Sequence, residues 1–170
     1  MTKLMPKFEQ HRTDFAYCQT ITKRSSSAFY TAFSQLPLER AWSIYAVYAF
    51  CRTADDLVDV DHDIDGLMAL RQSLTTFANG HVPDHPMWRA LAVVFETYDM
   101  NLDVFFDMLT GQEQDATFKQ PQTQQALEDY CYYVAGSVGL MILPMLATNP
   151  QSLVKPAVEL GIAMQLTNIC

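Results

Sequence analysis

Residues 38–65 contain neither glycine nor proline, and they end in a block where six of the eleven residues from Asp55 to Asp65 are aspartates. Apolar residues recur there at helical spacing, at Trp42, Tyr45, Ala46, Ala49 and Phe50. The pattern predicts one long buried helix over 38–65, with Pro37 in its first turn and Gly66 closing it. Acid at a helix C-terminus opposes the macrodipole. The block is therefore either a solvated helix end or a place where something cationic sits.

Asp55 and Asp59 are four apart, so on a helix they stand one turn above each other. A hard divalent cation turns their repulsion into attraction: Mg²⁺ takes one or two carboxylates, keeps waters and bridges to phosphate oxygens. Arg52 and Tyr48 extend the same stripe backwards along the helix, and a guanidinium suits a phosphate oxygen beside a metal. Asp61, Asp63, Asp65 and Gly66 match the first half of a calcium loop, but its twelfth position is Gln72 rather than glutamate. A solvated turn is the better reading of those three aspartates.

The rest of the chain carries the same helical signature. Further helices are expected near 13–34, 67–78, 87–98, 101–112, 123–147 and 151–170, with loops at Asn79-Gly80, Pro83, Pro86, Pro121 and Asn149-Pro150. Period-2 alternation is nearly absent, so the expected fold is all-α, a single domain over 1–170. A net charge of −8 argues against a nucleic-acid partner, which needs a basic face. The longest apolar stretches, 41–51 and 134–147, fall short of about 20 residues, which argues against a spanning helix and leaves peripheral membrane contact open. Cys18, Cys51, Cys131 and Cys170 form no metal-binding spacing and read as reduced core thiols of a cytoplasmic protein.

Four ordered pieces of this sequence resemble the squalene and phytoene synthase family, the head-to-head trans-prenyltransferases. They are SSSAFYTAFSQLP (25–37), AWSIYAVYAFCRTADDLVD (41–59), YCYYVAGSVGLMILPML (130–146) and GIAMQLTNI (161–169). The resemblance implies an isoprenoid-synthase-type helical array around an apolar cavity. It also implies condensation of two prenyl diphosphates through a cyclopropyl diphosphate, with Mg²⁺ required. Farnesyl diphosphate, giving dehydrosqualene for a carotenoid route, is the first expectation. Phytoene synthesis from geranylgeranyl diphosphate is the alternative, and squalene synthesis would need NADPH. A reading from another class is a non-catalytic helical module with a degenerate site.

By the same resemblance, Asp55, Asp59 and Asn168 fall on metal-ligand positions. Arg52, Tyr48 and Gln165 fall on substrate-contacting positions, Ser25, Ser26 and Ser27 on the serine segment, and Tyr130 on a tyrosine at the cavity mouth. Ala28 stands where the family often has a further serine. The sequence stops at Cys170, where the family continues into a second aspartate cluster. The expectation is an N-terminal part of a longer protein, inactive by itself. The helix VAGSVGLMILPMLA reads as an apolar cavity wall, with Gly136 and Gly139 leaving room for a prenyl tail; small residues at helix crossings are the competing reading. Loop surface is the expectation for His81 and His85.

Overall fold

The computed structural model describes residues 4–117 and 119–169; Cys170 lies outside the described residues. All regular structure among them is helical. In chain order the elements are α1 (Pro6–Gln10), α2 (Arg12–Ser25), α3 (Ser27–Phe33), α4 (Leu38–Asp59), α5 (Ile64–Ala78), α6 (Pro86–Thr97), α7 (Leu102–Ala116) and α8 (Gln124–Cys131). A π-turn (Tyr132–Gly136), α9 (Ser137–Leu146), a 3₁₀ turn (Pro150–Leu153) and α10 (Val154–Ile169) complete the order.

Three of the expected helices end elsewhere than the periodicity suggests: the one expected over 101–112 runs on to Ala116 as α7, and two others stop or break early. The 13–34 helix is broken at Ser26, whose extended backbone lets its hydroxyl accept the Phe29 N–H at 3.2 Å and cap α3. The long helix stops at Asp59, not Asp65. There Val60 and Asp61 donate to the Asp56 carbonyl, Asp63 donates to Leu57, and His62 takes a left-handed φ of 50°. That closure is ordinarily glycine's work, so the sequence hides it. Gly66 does not close α4; it lies in the first turn of α5, with its N–H held by Asp63 Oδ1 at 2.8 Å. Asp63 thus serves as a cap rather than as part of a calcium loop.

The chain forms two compact units: Met1–Thr53 with Thr75–Met100, and Ala54–Leu74 with Asn101–Cys170. The first is built on aromatic stacking. Phe8, Phe15 and Trp42 stack in series at 5.1 and 5.4 Å, and Trp88 packs against both Phe50 and Phe77. Buried Asp14 accepts from Arg89 on α6 and from His11. His85 is more than loop surface: it caps α6 through the Met87 N–H and packs edge-on against Tyr17.

The second unit is built on close backbone approach. The π-turn packs against α7 and α10. A Cβ on Gly111 would lie 2.8 Å from the Tyr133 backbone, and one on Gly161 would lie 2.8 Å from Ala135 O and Gly136 Cα. A Cβ on Gly139 would lie 3.1 Å from the Ala157 carbonyl oxygen on α10. The space that Gly136 and Gly139 leave is therefore used by helix packing, and Met141 and Met145 are buried in the same wall. α8, the π-turn and α9 run on as one helix from Gln124 to Leu146, long and apolar enough to cross a membrane by length and composition. Within the unit it is instead a packing partner of α7 and α10, as a core helix of a globular fold also is.

Candidate active site

α4 is buried almost all round in its middle: Ile44, Ala46, Val47, Ala49, Phe50 and Ala54 have no exposed surface. On such a helix a polar side chain is costly unless it has a partner or a task. Tyr48, Arg52 and Asp55 are half-buried and Asp59 is exposed, so the stripe grows wetter towards the C-terminus. Tyr48 and Arg52 belong to the first unit, Asp55 and Asp59 to the second.

In the first unit the structure brings Tyr48 to the serine segment. Phe29, capped by Ser26, packs on the Tyr48 ring at 4.6 Å. Ser25, Ser27 and Ala28 are exposed around that helix break, following Lys23 and Arg24. Lys23 lies over the Tyr30 ring at 5.6 Å, so this basic residue is already engaged.

In the second unit a polar chain gathers around Tyr130. Its hydroxyl donates to Asp115 Oδ1 at 2.5 Å. Burial raises the Tyr130 ionisation far above the ordinary phenol range; the Asp115 carboxylate adds to it, and a hydrogen bond from Gln165 opposes it. The phenol therefore stays neutral in the physiological range. Asp115 itself is raised from the usual carboxylate value, first by burial and further by the charge of Asp59, while its bond from Tyr130 works the other way. Asp59, Asp115, Tyr130 and Gln165 thus sense one another. Asn168, one turn beyond Gln165 on α10, is exposed. Tyr130 also lines a hollow of about 520 Å³ together with Pro121, Leu127 and Ile169.

Sequence reading missed Asp115 and its counterpart Asp107, which accepts from the Tyr132 hydroxyl at 2.6 Å. Both sit on α7, outside every aspartate-rich motif. A signal was present: Asp107, Gly111 and Asp115 recur every fourth residue and so share one face. Among the described residues no group of three His, Cys, Asp or Glu gathers closely enough to hold a metal alone.

The family model for squalene/phytoene synthase matches residues 22–170. The chain belongs to that family. It is 36% identical to the 4,4'-diapophytoene synthase of Staphylococcus haemolyticus, covering 92% of this chain and 56% of that protein. It is 33% identical to the phytoene synthase of Arthrospira platensis, covering 91% and 55%. The crystal structure of a dehydrosqualene synthase in complex with ligand superposes with a TM-score of 0.93 at 58% identity, covering 96% of this chain and 58% of that one. The all-α fold is therefore that of dehydrosqualene synthase. The chain spans about half the length of the curated relatives it matches.

Proposed function

We propose that the protein joins two farnesyl diphosphates head to head, through a cyclopropyl diphosphate, to give dehydrosqualene for a carotenoid route. It acts as a Mg²⁺-dependent prenyltransferase in the cytoplasm. Its hydrocarbon product is too apolar to leave into water, so peripheral contact with a membrane belongs to the same proposal. The match to a 4,4'-diapophytoene synthase and to a dehydrosqualene synthase structure supports the farnesyl substrate. Matches to phytoene synthases support geranylgeranyl diphosphate as the second reading.

The observation that carries the enzymatic reading is the hydrogen bond from the half-buried Tyr130 hydroxyl to Asp115 on α7, beside the hollow of about 520 Å³ that Tyr130 lines. In the reaction, the C1–O bond of one prenyl diphosphate breaks with its electron pair leaving on diphosphate. The allylic cation is then attacked by the double bond of the second molecule, and proton loss closes the cyclopropane. Asp55, Asp59 and Asn168 would hold Mg²⁺, which when bound would neutralise charge on the leaving group. Arg52 and Tyr48 bind and orient diphosphate oxygens, and Ser25, Ser26 and Ser27 contact the same group, with Ala28 contributing only backbone. Tyr130, neutral and fixed on both sides of its oxygen, orients the reacting prenyl chain; Gln165 holds it from α10.

The test is product analysis by mass spectrometry after the full-length protein is given farnesyl and geranylgeranyl diphosphate in competition. A C30 product supports the first reading, a C40 product the second, and no head-to-head product sinks both. In the same assay Asp55→Asn lowers kcat by about 100-fold or more while the circular dichroism spectrum is unchanged. Turnover near the wild-type value would remove Asp55 from the metal site.

A further inference from the structure

α7 presents one face to the segment that carries Tyr130. Asp107, Gly111 and Asp115 lie on that face, each four residues from the next. Gly111 lets the Tyr133 backbone come so close that a Cβ would stand 2.8 Å from it. On one side of this contact Tyr132 donates to Asp107 at 2.6 Å; on the other Tyr130 donates to Asp115 at 2.5 Å. The register between the two segments is thus pinned in three places. The middle one is steric and the outer two are charge-assisted hydrogen bonds, the stronger kind. The π-turn begins between the two tyrosines, at Tyr132. Its extra residue per turn shifts the following helix relative to the preceding one, a distortion found often at functional sites.

The outer two clamps differ in what surrounds them. The Tyr132 phenol is acted on by burial, by Asp107 and by the adjoining Tyr133. Asp115 stands within the influence of Asp59 at the acidic end of α4, and its partner Tyr130 is also bonded by Gln165 of α10. Of the two aspartates, only Asp115 joins the tyrosine to the carboxylates.

We propose that Asp115 is a positioning residue for the reaction: it fixes the Tyr130 hydroxyl from α7, so that the phenol and the α4 carboxylates hold one mutual arrangement during turnover. This rests on the reading of Tyr130 as a substrate-facing group given above. Asp107 performs the matching bond for fold alone. Three groups face the Tyr130 oxygen or its near surroundings: Asp115 from α7, Gln165 from α10 and Cys131 from its own helix.

The experiment uses the full-length protein with Asp115→Ala, Asp115→Asn, Asp107→Asn, Tyr130→Phe and the Tyr130→Phe/Asp115→Ala double variant. Asp115→Ala should lower kcat about 100-fold, the cost of a displaced group, with KM for the prenyl diphosphate little changed. Asp115→Asn keeps an acceptor and should recover activity to within about tenfold of the wild type. Asp107→Asn should lower the unfolding midpoint and leave kcat near the wild-type value. Removing Asp115 when Tyr130 is already phenylalanine should cost little more. An equal loss in both backgrounds would overturn the proposal, because Asp115 would then act by itself, as a metal ligand does. Failure of Asn to recover activity would overturn it too.

A second readout needs no turnover. The near-ultraviolet phenolate absorbance of the wild type minus that of Tyr130→Phe reports ionisation of this one phenol. Asp115→Ala should bring that ionisation down towards the ordinary range, and an unchanged titration would show that the clamp does not exist in solution. If the wild type forms no head-to-head product, the proposed reaction fails, whereas the phenolate titration still tests the clamp.

Discussion

The two compact units hold themselves together by different physics. In the first, large rings do the packing: Phe8, Phe15 and Trp42 in one stack, and Phe50, Phe77, Phe95 and Trp88 in another cluster. In the second, glycines let backbones touch, and hydroxyl-to-carboxylate bonds lock the touching segments. An aromatic cluster buries much area and tolerates small shifts of its members. A backbone contact at a glycine tolerates almost none. The unit that contains Tyr130, Asp55 and Asp59 is the one with the less forgiving packing. The contrast suggests that the first unit supplies stability and the second supplies geometry.

The largest stability effect should therefore come from the first unit. Phe15 is fully buried between Phe8 and Trp42. Phe15→Ala should cost about 3–5 kcal/mol in urea unfolding, combining lost transfer energy with a cavity. A cost under about 1 kcal/mol would mean that the stack collapses freely, and the contrast with the second unit would lose its basis.

Gly161→Ala probes the other kind of packing. Alanine is favoured over glycine within a helix by about 1 kcal/mol. Against that stands a Cβ placed 2.8 Å from both the Ala135 carbonyl oxygen and the Gly136 Cα. These are backbone atoms of the π-turn and cannot swing aside as a side chain would. Overpacking of this kind costs about 1–3 kcal/mol, so a net loss of about 0–2 kcal/mol is expected from the two terms. A stabilised Gly161→Ala protein would show that the segments sit farther apart.

How much of this was legible in the sequence follows the same division. The stripe Tyr48, Arg52, Asp55, Asp59 is local, and helical spacing alone displays it. The helix content and most boundaries were legible for the same reason. The end of α4 was not, because His62 takes the left-handed turn that usually advertises itself with glycine. The break at Ser26 was hidden inside a run of three serines, any of which caps well. The Tyr130–Asp115 bond joins residues 15 apart across a loop, and nothing in either residue's neighbourhood names its partner. The π-turn has no residue signature at all: YYVAG reads as ordinary helix until the contact at Gly111 is seen.

Ser26 allows a finer separation between structure and chemistry. Its hydroxyl caps α3 by accepting the Phe29 N–H, and Phe29 supports the Tyr48 ring. Ser26→Ala should cost about 1 kcal/mol of stability from the lost cap. Ser26→Asp restores a capping acceptor but adds charge where a diphosphate is proposed to bind. Stability recovered in the Asp variant, with weaker diphosphate binding by calorimetry, would assign both roles to the segment. Equal binding in all three proteins would leave Ser26 a cap and nothing more.

The smallest expected effect concerns a thiol at the heart of the first unit. Cys18 is buried, and desolvation, with a further push from the Asp14 charge, raises its pKa to about 12. In the unfolded chain a cysteine titrates near about 8.5. Because the folded value is the higher one, the protonated thiol is favoured by folding. That contribution is complete below about pH 8.5 and is lost as pH climbs through the gap towards the folded value. Stability should therefore be flat with respect to Cys18 from neutral pH down, and decline only on the alkaline side. The direct measurement is alkylation by iodoacetamide at mildly alkaline pH, with peptide mapping. Cys18 should stay unmodified in the native protein and react once urea has unfolded it. Rapid native labelling at Cys18, before global unfolding, would mean that the aromatic unit opens locally, and that the second unit is the more rigid of the two after all.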